Sequence, residues 1–227
     1  MKYENIVEGK FISRPNRFIA YVEIDGKTET VHVKNTGRCK ELLIKGTTVY
    51  LEKSNNPERK TKYDLIAVYK GNNLVNMDSQ APNKVALEFL KKSNLFSKNA
   101  KFKPEYTIGS SRIDIYVEDE NRKALIEVKG VTLENEGVAS FPDAPTERGI
   151  KHINELIEAQ KSGYESYILF VIQMKQIKEF TPNYATHKQF GESLQKAQKS
   201  GVKILAYDCI VTPDTLKIDA PIEVRLT

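Results

Sequence analysis

Ser111-Arg112-Ile113-Asp114-Ile115-Tyr116-Val117 and Lys123-Ala124-Leu125-Ile126-Glu127-Val128-Lys129 are the stretches that decide the fold. Each is an apolar, β-rich run carrying isolated charges. Alternate residues of a strand share a face, so Glu127 and Lys129 lie together, and pairing of the two runs as a hairpin brings Asp114 beside them. Two carboxylates offer hard oxygen ligands to a divalent cation, and a neighbouring ammonium can steady a phosphate or its attacking water. The same spacing also arises where the solvent face of a strand carries an ion pair, so the surrounding elements must decide.

Those elements follow an ordered pattern. Asp78-Ser79-Gln80-Ala81-Pro82 punctuates the chain, and a helix is predicted from about Asn83 with an apolar stripe of Val85, Ala86, Phe89 and Leu90. Strands are predicted at about 104–108, 111–117 and 123–130, then a long loop through Gly137 and Pro142-Asp143-Ala144-Pro145. Thr146 can cap the next helix, whose Ile150, Ile153, Leu156 and Ile157 recur at helical spacing before Gly163. Tyr167–Ile172 reads as a buried strand, 184–199 as a helix ending at Gly201, and Val202–Tyr207 as a further strand.

The first eighty residues differ in character. Short strands are predicted at 5–13, 17–25, 28–34, 47–53 and 63–69, with Asp25-Gly26 as a hairpin signal and a short helical piece at 38–44. Five strands with one inserted element suit a small closed barrel of OB type. The expected fold is therefore α/β with two domains: an OB-fold-like barrel over residues 1–80, then residues 81–227 around a mixed sheet.

Composition narrows the function classes. The chain has 227 residues, 35 Lys/Arg, 30 Asp/Glu and a net charge of +5, short of a polybasic binder but compatible with a local cationic groove. Residues 1–80 hold 14 Lys/Arg against 10 Asp/Glu and the remainder 21 against 20, so the excess precedes the acidic pair. No apolar run is long enough to span a bilayer, and the start lacks the basic end and apolar core of a signal peptide. A cytoplasmic protein without membrane attachment is expected. Cys39 and Cys209 stand far apart and read as free, partly buried thiols, so zinc is not suggested.

The order helix, three strands, helix, strand, together with Asp114 and Glu127-Val128-Lys129, resembles the PD-(D/E)XK nuclease superfamily. Ile113 replaces the nominal proline. Glu88 matches the additional acid that members often carry on the preceding helix, and it reads at least as well as a solvated helix glutamate. Over nearly the whole chain the sequence also resembles the sugar fermentation stimulation protein A family. The matching stretches are Asn35-Thr36-Gly37-Arg38, Asn55-Asn56-Pro57-Glu58-Arg59-Lys60, Ala81-Pro82-Asn83, Ser111–Asp114, Glu127–Leu133 and Phe141–His152. That resemblance implies an N-terminal OB-fold, a nuclease-like second domain, and a DNA-binding protein linked to the regulation of sugar utilisation, notably maltose metabolism.

The expected site follows from both lines. Asp114 and Glu127, with Glu88, would bind Mg²⁺ or Mn²⁺; Lys129 would orient water, and Lys151 or Arg148 would meet a phosphate. Glu147, Lys151 and Glu155 also lie one turn apart on a helix, so ion pairing along its surface explains them equally well. His152 can orient water or be structural. Arg14, Arg17, Lys34 and Arg38 are candidates for phosphate contacts, with Lys40 beside them and Arg112 near the acids. Arg59 and Lys60 read either as a phosphate clamp or as a solvated loop. Phe18, Tyr21 and His32 offer rings for stacking, although Phe18 shares the register of Ala20, Val22 and Ile24 and is expected in the core. The partner expected is nucleic acid, DNA foremost, with the oligomeric state open and a homodimer among the options. The alternative is a non-cleaving DNA-binding regulator that keeps the nuclease fold as a scaffold.

Overall fold

A computed structural model describes every residue except Thr36, Gly109 and Ser110. Thr36, within the Asn35–Arg38 match, thus lies outside the described residues. The barrel consists of β1 (Ile6–Ser13), β2 (Ile19–Ile24), β3 (Lys27–Val33), β4 (Thr48–Lys53) and β5 (Tyr63–Lys70), and β6 (Asn73–Asn76) extends it beside β5. The strand order is β3-β2-β1-β4-β5-β6, and a parallel β3–β5 pairing closes the ring. Closure removes the unpaired edges that an open sheet of this size would expose.

Local chemistry explains the pieces. Asp25 and Gly26 both have positive φ (50° and 74°), the geometry that a two-residue hairpin loop requires between right-twisted strands. Ala20, Val22 and Ile24 alternate into the core. Phe18 does not join them: it precedes β2 and is 55% exposed, because the strand that would impose the alternation starts one residue later. The helix expected at 38–44 is a set of turns, in which the Leu42 and Leu43 amides both donate to the Cys39 carbonyl.

Next come α1 (Ala81–Lys92), β7 (Lys101–Ile108), β8 (Ser111–Asp119), β9 (Arg122–Val131), β10 (Leu133–Asn135), β11 (Val138–Phe141), α2 (Glu147–Lys161), β12 (Glu165–Ile172), β13 (Glu179–Pro182), α3 (Tyr184–Lys199), β14 (Lys203–Thr212), β15 (Thr215–Pro221) and β16 (Glu223–Val224). The main sheet runs β15-β14-β12-β9-β8-β7 and is mixed, with β12 parallel to both β9 and β14. Val85, Ala86 and Leu90 of α1 pack with Ile115, Ile126 and Leu169. Ile153 and Leu156 of α2 and Phe190 of α3 pack instead with Leu125, Ile168 and Phe170, which alternate with the first set and so cover the opposite face. A second, four-stranded sheet, β10-β11-β13-β16, draws two of its strands, β10 and β11, from the stretch expected to be a long loop.

The two parts share buried polar contacts as well as apolar ones. Gln173 donates from Nε2 to Asn76 Oδ1 (2.9 Å) and to the Asp78 carbonyl (3.1 Å), while the Asn76 amide donates to the Gln173 carbonyl (2.9 Å). The first residues also reach the second part: the N-terminal amine donates to the Leu216 carbonyl at 2.8 Å, and Lys2 bridges Thr215. Both cysteines are free and buried. Among the described residues, no helix is long and apolar enough to cross a membrane.

Candidate active site

The β8–β9 hairpin sets the first two groups. Its antiparallel register runs from Asp119 opposite Arg122 to Ile115 opposite Ile126, and one further step places Asp114 opposite Glu127. There the side chain takes over from the ladder. Asp114 Oδ2 accepts the Val128 N–H at 2.8 Å, and its Oδ1 accepts Asn83 Nδ2 at 2.8 Å. Asn83 sits in the first turn of α1, so both the hairpin and the helix fix this carboxylate.

Glu127 is held from the other side. Thr146 caps α2, its hydroxyl accepting the Gly149 N–H at 3.0 Å, and the helix that follows carries His152 to β9. His152 Nδ1 meets Glu127 Oε1, and Lys129 Nζ reaches the same oxygen at 2.5 Å. Arg148 Nε donates to His152 Nε2 at 3.4 Å, which leaves the proton of a neutral imidazole on Nδ1, facing Glu127. Glu127 is only 3% exposed, and its Oε2 is buried without a partner among the described residues.

The electrostatics of the pair are opposed. Burial and the nearby Glu127 charge push the Asp114 carboxyl up, against the Val128 N–H, Lys129 and Asn83. Burial also pushes Glu127 up, but the contacts with His152 and Lys129 outweigh it and hold the group below its ordinary value. Both face a cleft of about 500 Å³ whose wall includes Ser79, Asn83, Arg112, Lys129, Arg148 and His152.

A divalent cation fits this donor set. Two carboxylates that repel each other and one unsatisfied buried carboxylate oxygen are relieved by positive charge. Among the described residues there is no cluster of three or more His, Cys, Asp or Glu arranged for a metal. Mg²⁺ commonly takes one or two carboxylates and fills the rest of its shell with water and substrate phosphate, so two suffice.

Several residues expected at the site lie elsewhere. Glu88 is half-exposed and pairs with the N-terminal amine at 2.9 Å. Five residues on from Asn83, it points about 140° around the helix from it. Lys151 is exposed and pairs with Glu155 at 3.6 Å, lining a different cleft with Ile108, Ile113 and Ile150. It is offset by about 100° from His152, the α2 residue that faces the acids. Arg112 and Arg148 are exposed at the acidic cleft, Arg112 lying 3.7 Å from Glu105. The sequence alone did not single out Asn83 as a site residue; its signal was a polar first-turn position in the Ala81-Pro82-Asn83 stretch.

The barrel cations divide in two. Arg14 donates to the carbonyls of Arg17, Asn35, Gly37 and Arg38 at 2.5–3.0 Å, bracing two loops. Lys34 and Arg59 turn onto buried Asp64 at 3.3 and 2.7 Å, and His32 joins them at 2.9 Å. Arg14, Lys34 and Arg59 are therefore committed to the barrel. Lys60 is exposed, while Arg17 and Arg38 line a cleft between the barrel and the Phe141–Thr146 segment.

The chain matches two family profiles, the SfsA N-terminal OB domain over residues 12–77 and the sugar fermentation stimulation protein RE domain over residues 80–215. It is 57% identical over 226 residues to the sugar fermentation stimulation protein homolog of Clostridium beijerinckii, covering 100% of both chains. It is 60% identical to the homolog of Desulfitobacterium hafniense strain DCB-2, covering 100% of this chain and 99% of the relative. The structure of Pyrococcus furiosus SfsA in complex with Ca²⁺ superposes with a TM-score of 0.86 at 25% identity, covering 99% and 98% of the two chains. With both halves matched and relatives this similar along the full length, the chain belongs to the sugar fermentation stimulation protein family.

Proposed function

We propose that this protein binds nucleic acid, DNA foremost, and hydrolyses its phosphodiester bonds at the Asp114–Glu127 site with the help of Mg²⁺ or Mn²⁺. The observation that carries the reading is the buried, unpartnered Oε2 of Glu127 beside a second half-buried carboxylate. A buried carboxylate oxygen without a donor is relieved by a cation. A bound divalent cation would lower the pKa of water and neutralise charge developing on the phosphoryl oxygens.

The protein groups have separable tasks. Val128 N–H and Asn83 hold Asp114, and His152 holds Glu127, so neither carboxylate must reorganise when substrate arrives. Lys129 is within reach to donate to the attacking water or a phosphoryl oxygen. Arg148 and Arg112, at the same cleft, supply donors for the flanking phosphates. The Ca²⁺ complex of the Pyrococcus furiosus relative supports a divalent-cation role, since Ca²⁺ and Mg²⁺ both seek hard oxygen ligands. An effect on sugar utilisation, as the family name suggests, would then pass through nucleic acid.

The test is a cleavage assay on labelled single- and double-stranded oligonucleotides with Mg²⁺, Mn²⁺ or EDTA, alongside Mn²⁺ calorimetry. Cleavage that requires metal and disappears in Asp114→Asn supports the proposal. Mn²⁺ binding without cleavage of any substrate would favour the non-cleaving regulator, and absence of both would overturn the site.

A further inference from the structure

We infer that the cleft between the barrel and the second domain is a track for single-stranded nucleic acid leading into the Asp114–Glu127 site. The inference rests on the nucleic-acid reading above and specifies its substrate. The cleft measures about 900 Å³ and carries Arg17, Arg38, Lys40 and Lys45, with the Asp143 carboxylate opposing them. Among the described residues, none of these four cations forms an ion pair, although Lys34, Arg59, Lys70, Arg122 and Lys175 all do. Unpaired cations gathered in a concavity attract a polyanion and release its counterions.

The cleft continues to the acids. It shares Phe141 and Thr146 with the acidic cleft. A hollow of about 180 Å³ adjoins both, sharing Gly37 and Asp143 with the cationic cleft and Ser79 with the acidic one. At that neck the two parts approach closely, since a Cβ built on Gly37 would lie 2.6 Å from Asp143 Oδ2.

Phe18 supplies an independent indication. Its ring is 55% exposed next to Arg17, yet its backbone is pinned: Asn16 Oδ1 accepts the Phe18 N–H at 2.9 Å, and the Phe18 carbonyl accepts the Val33 N–H at 2.8 Å. Phe18 is not itself one of the residues lining the cleft, but it follows Arg17, which is, and an exposed aromatic ring on a fixed backbone there offers a stacking platform for an unpaired base. A duplex keeps its base faces inside and cannot use it.

The test measures fluorescence anisotropy in EDTA with labelled oligothymidylate, its RNA counterpart and a hairpin duplex of equal length, each across a salt series. Either single strand should bind about tenfold or more tightly than the hairpin, and Phe18→Ala should remove about tenfold of that affinity while Phe18→Tyr retains it. Arg38→Ala with Lys45→Ala should flatten the log-log salt dependence by about 0.7 for each phosphate that is no longer neutralised. Equal affinity for the hairpin, or an unaffected Phe18→Ala variant with wild-type circular dichroism, overturns the track. Tight single-strand binding without cleavage thus overturns only the nuclease proposal, and cleavage without strand preference overturns only the track.

Discussion

Glu127 on β9 and His152 on α2 meet through one carboxylate oxygen, Oε1, which also receives Lys129, so Oε2 is left buried with no partner among the described residues. A helix and a strand thus converge on the same atom and orient the other oxygen. The capped start of α2 makes this possible, because Thr146 fixes where the helix begins and hence which face carries His152.

Asp114→Asn should leave the metal-free fold at least as stable as wild type. The substitution removes repulsion from Glu127 and buries a neutral group instead of a charged one. Asn83 is an amide and can turn its oxygen toward the new donor, so the hydrogen bond survives. Mn²⁺ at about 100 times its Kd should stabilise wild type by about 2.7 kcal/mol and the variant by nothing. Thermal melts with and without Mn²⁺ decide; an equal metal-induced shift in both proteins removes Asp114 from the site.

Lys129→Met should lower the rate of any metal-dependent hydrolysis by about a hundredfold or more, the usual scale for a missing transition-state donor. Mn²⁺ affinity should change little, because the ammonium supplies no ligand to the cation. Single-turnover cleavage and calorimetry on the same variant separate the two effects, and unchanged cleavage takes the lysine out of the mechanism.

Asn83→Asp and Glu88→Ala test which α1 position faces the acids. Aspartate at 83 adds a third carboxylate beside Asp114, and Mn²⁺ binding should tighten by about tenfold, as a further hard ligand allows. Glu88→Ala should leave Mn²⁺ binding unchanged and cost less than about 1 kcal/mol, as exposed ion pairs do. The opposite result in calorimetry, with Glu88 decisive and Asn83 silent, would mean that the helix phase is wrong.

The paired acids were legible because strand alternation is local: Asp114 and Glu127-Val128-Lys129 lie within two consecutive strands whose hairpin register follows from sequence. Glu88 was misplaced because an acid on a helix looks like a ligand until the helix phase is fixed, and the stripe through Val85, Ala86 and Leu90 is broad enough to leave that phase loose. His152 had no local signal, since its partner lies twenty-five residues away across the sheet. The strands β10, β11, β13 and β16 are two to four residues long, and the β11–β13 and β13–β16 pairings join distant segments in parallel, which periodicity cannot reveal. Phe18 shows the converse error, an alternation carried one residue past the end of its strand.

Gln173→Leu should destabilise the protein by about 2–3 kcal/mol, because Asn76 Oδ1 and the Asp78 carbonyl lose a buried donor. The loss falls where the barrel meets the second domain. Urea unfolding followed by hydrogen exchange of barrel amides and of second-domain amides should give coincident transitions for wild type and split ones for the variant. Coincident transitions at unchanged midpoints would mean that the apolar contacts alone couple the two parts.

Asp64 gives the barrel a predictable acid response. Burial raises its carboxyl, but the contacts with Arg59 and His32 and the charge of Lys34 outweigh that and bring it down to about 2. A carboxyl lowered on folding binds protons less readily in the native state than in the unfolded one. Its contribution is therefore complete above the ordinary aspartate value near 3.8 and is lost as pH falls toward about 2. Glu165, held at about 2 by Arg122, titrates in the same window, so wild type alone cannot isolate the effect. Asp64→Asn can, because an amide does not titrate. Its urea midpoint should be lower than that of wild type at neutral pH, since Arg59 and Lys34 lose their anion, and should fall less steeply between pH 4 and 2. Parallel slopes for the two proteins over that interval would show that Asp64 titrates alike in the folded and unfolded chains, and the ion cluster would then be no source of acid sensitivity.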